Sequence, residues 1–65
     1  MREFILVRDS LTSNLMLIRK SMICTVEEVF KDQKGVREIT YVDLRPSDYV
    51  VDSMTDILKQ LHADN

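Results

Sequence analysis

Between Tyr49 and Leu61 the chain changes its hydrophobic period from two to 3.6, and that switch limits the folds open to it. Tyr49-Val50-Val51 is a short β-prone run. After Asp52 and Ser53, the apolar residues Met54, Ile57, Leu58 and Leu61 fall at i, i+3, i+4 and i+7, which puts them on one side of a helix. Thr55, Asp56, Lys59 and Gln60 take the other side. Ser53 with Asp56 three residues later forms a capping box in which Asp replaces Glu, and Asp52 and Asp56 sit where the helix dipole favours negative charge. A terminal strand therefore leads into a helix over 52–62, and His62-Ala63-Asp64-Asn65 is expected to fray.

Earlier in the chain, Phe4-Ile5-Leu6-Val7 and Leu15-Met16-Leu17-Ile18 are apolar runs too short for helices and read as the first two strands. Asp9 to Asn14 between them is rich in residues whose side chains bond to their own backbone, the mark of a turn. Arg19-Lys20-Ser21 makes a tight connection to a third strand ending near Phe30. A helix over Leu15–Phe30 is the competing reading, but Met16, Arg19, Lys20, Ile23, Glu27 and Phe30 make no apolar stripe, and Ile, Val and Thr favour extended chain. Asp32-Gln33-Lys34-Gly35 predicts a hairpin with the only Gly at the positive-φ position. A fourth strand follows from Val36 to Leu44, and Arg45-Pro46-Ser47-Asp48 turns the chain into the fifth. The expectation is a single α+β domain over 1–65, an antiparallel β-meander of about five short strands followed by one C-terminal helix.

One helix covers one face of a small sheet, yet the first two runs offer apolar groups on both faces. Exposed side chains of that size forgo ~1.5–3 kcal/mol each, against a small domain's stability of a few kcal/mol. Self-association through the sheet face or an edge strand is therefore expected, most simply as a twofold homodimer using Phe4, Leu6, Leu15 and Leu17. The alternative is a sheet curved enough to bury both rows itself.

Nine basic against eleven acidic residues give a net charge of −2, too little of either sign to name a partner. Lys31, Lys34 and Arg37 gather at the second hairpin and are candidate nucleic-acid contacts, diluted by Glu27, Glu28, Asp32 and Glu38. Chemistry has little to work with. Adjacent Glu27 and Glu28 point to opposite faces of a strand. His62 has no orienting partner that spacing reveals, and Asp43, Asp48 and Asp52 lack the spacing of a calcium loop. One Cys and one His cannot build a zinc site alone, so no catalytic residue, cofactor or metal ligand is expected. The lone Cys24 forms no internal disulfide, which points to a reducing, cytoplasmic setting, and no run is long enough to span a membrane.

Phe4–Val7, Leu15–Ile18, Ile23–Glu28, Ile39–Tyr41 and Tyr49–Leu58 together resemble the short FlbD-like proteins of bacteria and phages, which are associated with flagella and swarming. The layout is also similar to the C-terminal half of LytTR-type DNA-binding domains. The resemblance spans nearly the whole chain, rests on apolar positions and the strand-to-helix junction, and implies the fold without assigning any functional residue. It frames three expectations: a non-enzymatic accessory protein that self-associates and binds another macromolecule, a LytTR-like regulator using the basic hairpin, or a small-ligand binder or phage inhibitor of host defence.

Overall fold

The computed structural model describes residues 3–63, so the expected fraying at Asp64 and Asn65 lies outside the described residues. The first two runs form strands β1 (Phe4–Arg8) and β2 (Leu15–Arg19), paired antiparallel with Ile5 opposite Ile18 and Leu6 opposite Leu17. The turn between them is held by Asp9, whose Oδ2 accepts hydrogen bonds from the amides of Leu11 and Thr12 at 2.9 and 2.8 Å. A single 3-10 turn, Lys20–Met22, then redirects the chain into β3 (Ile23–Lys31), so Leu15–Phe30 is two strands joined by that turn and not an α-helix. Strands β4 (Lys34–Tyr41) and β5 (Asp48–Val50) complete a three-stranded sheet of order β3-β4-β5, and helix α1 (Met54–Leu61) follows. The molecule is the α+β fold of five antiparallel strands and one C-terminal helix that the hydrophobic pattern predicts, its strands divided between two sheets.

The two sheets meet through a bridge between Asp9 and Val50, with the Ser10 amide donating to the Tyr49 carbonyl at 2.8 Å and the Val51 amide to the Arg8 carbonyl at 3.1 Å. Strands therefore run β2-β1-β5-β4-β3 around one core. That core is Ile5, Val7, Ile18, Ile39, Tyr41, Val50 and Ile57, with Met16, Met22, Ile23, Val26 and Leu61 packed against it. The helix contributes Ile57 to it and begins where expected, since the Ser53 hydroxyl accepts from the Asp56 amide at 3.1 Å.

Two local expectations are corrected. Gly35 does not take the positive φ of the hairpin; Asp32 (φ 51°) and Gln33 (φ 64°) do, in a two-residue turn closed by Lys31 and Lys34. That register sets Val29 against Val36, Val26 against Ile39 and Thr25 against Thr40. Cross-strand pairs contribute ~0.2–1 kcal/mol each, enough together to offset a strained φ at Gln33. Gly35 instead stands in β4 opposite Phe30. The fourth strand also stops at Tyr41, not Leu44. Beyond it the Asp43 carboxylate accepts from the Arg45 amide and guanidinium, which competes with the ladder, and Leu44 takes φ 64° as the chain turns. In β3 the pairing with β4 is interrupted by a bulge between Ile23 and Thr25.

Candidate functional site

Alternation along β1 and β2 sends Ile5, Val7, Met16 and Ile18 inward, and Phe4, Leu6, Arg8, Leu15, Leu17 and Arg19 outward. The register assembles the outward set into one face: Phe4 beside Arg19, Leu6 beside Leu17, Arg8 beside Leu15. All four residues expected in self-association thus share a surface. Leu6, Leu15 and Leu17 remain 44, 58 and 53% exposed, so the inner row alone is enclosed by the protomer. At one corner the Arg19 guanidinium lies 4.6 Å from the Phe4 ring centroid and 3.4 Å from the Glu3 carboxylate. At the other, Arg8 donates to the Ser13 carbonyl at 2.5 Å.

The far edge of β1 is closed by residues that sequence reasoning assigned elsewhere. Gln60, placed on the polar side of the helix, accepts from the Leu6 amide at 2.7 Å and donates to the Leu6 carbonyl at 2.9 Å, as a paired strand would. Asp52, which the sequence places where the helix dipole favours negative charge, accepts from the Arg8 amide at 2.7 Å. Gln60 follows Ile57 by three and precedes Leu61, a border position on the buried stripe, and this spacing is the signal that could have found it.

The basic cluster divides. Lys31 and Lys34 oppose each other at the base of the hairpin, beside a cleft of about 270 Å³ whose walls include Ser10, Val36 and Tyr49. The Lys31 ammonium sits 4.1 Å from the centre of the Tyr49 ring, and Asp9 and Asp48 also line the cleft. Arg37 is on the opposite face of β4, where its guanidinium donates to the Val51 carbonyl at 2.6 Å and to Glu28 at 3.3 Å. Its engaged guanidinium points away from the lysines.

The three aspartates near the last turn each hold a structural partner: Asp43 pairs with Arg45 at 2.8 Å, Asp48 accepts from the Tyr41 hydroxyl at 2.5 Å, and Asp52 binds β1. Hydrogen bonding from Arg45 holds the Asp43 carboxyl below its usual range, and the Thr12 amide does the same for Asp9. Burial, reinforced by the bond to Asp48, pushes the Tyr41 phenol well above its ordinary value. Cys24 is exposed, and His62 caps the end of the helix with its amide. Among the described residues no group of three or more His, Cys, Asp or Glu could hold a metal, and no helix is long and apolar enough to cross a membrane. No family model matches the chain, nor is any curated protein or solved structure recognisably similar to it.

Proposed function

We propose that the protein is a non-enzymatic accessory protein that self-associates as a twofold dimer through the outer face of the β1–β2 hairpin and in that form engages a further macromolecule. The observation that carries this is the cluster of half-exposed Leu6, Leu15 and Leu17 on a single sheet face, in a molecule whose helix covers other surface. Apolar area removed from water contributes ~25 cal/mol per Å², and a small domain has little other reserve. A flagellar, phage or related bacterial setting is the one the FlbD-like resemblance implies, and the exposed, lone Cys24 suits a reducing cytoplasm.

Light scattering across micromolar to millimolar concentration tests the reading. A mass of twice the protomer is expected, falling to that of the protomer in Leu6→Ser with Leu17→Ser. A wild-type chain that stays monomeric throughout removes it. The nucleic-acid alternative is favoured by one feature, the two lysines beside the Tyr49 ring, a pairing of phosphate-binding cations with a stacking surface. It predicts salt-sensitive retention of DNA that Lys31→Glu with Lys34→Glu abolishes.

A further inference from the structure

In an antiparallel pair, residues alternate between those whose main-chain groups bond across the pair and those whose groups point away from it. The amide and carbonyl of Leu6 are both taken by Gln60, and those of Arg8 by Asp52 and Val51, all on the side away from β2. The Asp9 amide, by contrast, donates back across the turn to the Asn14 carbonyl at 2.8 Å, and the Lys20 amide to the Glu3 carbonyl at 2.8 Å. Leu6 and Arg8 face Leu17 and Leu15 in the register, so Leu15 and Leu17 direct their main-chain groups outward along the free edge of β2, as does the amide of Arg19.

This edge is undefended. The other free edge, β3, carries a bulge and the charged residues Glu27, Glu28 and Lys31, devices that discourage strand addition. Strand β2 has neither bulge nor proline, and its one charge is at its last residue. A groove of about 520 Å³, lined by Met16, Ile18, Met22, Tyr41 and Arg45 among others, opens along the same strand.

Resting on the self-association proposed above, we infer that the second copy docks edge to edge: β2 of one protomer pairs antiparallel with β2 of the other about a twofold axis at Leu17. The edge is complementary to itself in this register. Leu17 meets Leu17 of the second copy, and Leu15 meets Arg19 of the second copy, giving about four main-chain hydrogen bonds. The two Arg19 side chains fall at opposite ends, ~13 Å apart, so like charges do not meet. A standard interface takes ~800 Å² per partner, under a fifth of the 4522 Å² of accessible surface here and more than a five-residue edge supplies alone. Leu15 and Leu17 of both copies then stand side by side across the axis, adding side-chain contact to the main-chain bonds and joining the two outer faces into one apolar surface.

The test is Leu17→Pro, which removes an outward amide and leaves the β1–β2 ladder intact. Circular dichroism establishes that the variant folds. Dimer affinity is expected to fall ~100-fold in Leu17→Pro, through loss of the two central bonds, and less in Leu6→Ser, which keeps the edge. The reverse order, with Leu17→Pro still dimeric and Leu6→Ser monomeric, overturns edge pairing while preserving self-association; a wild-type monomer overturns both. Should Leu17→Pro unfold, amide exchange in the wild type decides. The Leu17 amide is expected to be protected at high protein concentration and exposed on dilution, and an unprotected Leu17 amide in the dimer rejects the pairing.

Discussion

Tyr41 shows how a single buried polar group sets a pH response. Its ring lies in the core and its hydroxyl donates to Asp48, so ionising it in the folded state would strand a charge in an apolar setting beside a carboxylate. The folded phenol therefore titrates above the ~10 of an unfolded tyrosine. A group with a raised folded pKa contributes stability that is complete below the unfolded value and is lost as pH rises through the folded one. Tyr41→Phe should cost ~1 kcal/mol at neutral pH, from the lost hydrogen bond, and should flatten the decline in stability above about pH 10. Urea melts at pH 7 and pH 11 measure both effects, and an unchanged alkaline slope rejects the assignment. Arg37 makes a related point: a basic residue near two lysines in sequence is spent on the Val51 carbonyl and Glu28.

At the scale of elements, the β3–β4 turn is held by pairing and not by its own residues. Gln33 at φ 64° bears a conformational cost that glycine does not. Gln33→Gly is expected to stabilise the protein by ~0.5–1 kcal/mol, read as a higher urea midpoint at unchanged slope; a lower midpoint would mean the side chain makes a contribution that outweighs its backbone strain. The same hairpin marks where sequence reading stops. The helix start was legible because a Ser53 cap and an Asp56 amide are neighbours in the chain, and β1 and β2 were legible because short apolar runs have few other fates. The hairpin at Asp32–Gly35 was legible too, but which of its residues turn was not, since that depends on Val29, Val26 and Thr25 finding Val36, Ile39 and Thr40 across the strand. The end of β4 was hidden for a different reason, the capture of Arg45 by the Asp43 side chain. The outer face was readable because period-two alternation puts Leu6 and Leu17 on one surface, whereas the free edge of β2 became visible only once Gln60 was seen on the far side of β1.

For the whole molecule, the proposed self-association makes stability and assembly one question. In the dimer proposed above, a chain that leaves three leucines half exposed on one face and a strand edge open would gain by mass action from a second copy. Raising the protein concentration a hundredfold should therefore raise the thermal midpoint by roughly 5–10 °C, as scanning calorimetry would show, whereas a concentration-independent midpoint contradicts a folding-linked dimer.

The clasp of Gln60 on Leu6 joins positions 54 residues apart in the chain. During synthesis, the first hairpin must emerge and wait with one flank of its backbone bonded only to water until nearly the last helical turn has left the ribosome. Premature release would thus yield a fragment with both flanks of that hairpin open, one awaiting its own helix and the other unpaired, and so especially prone to stick to its neighbours.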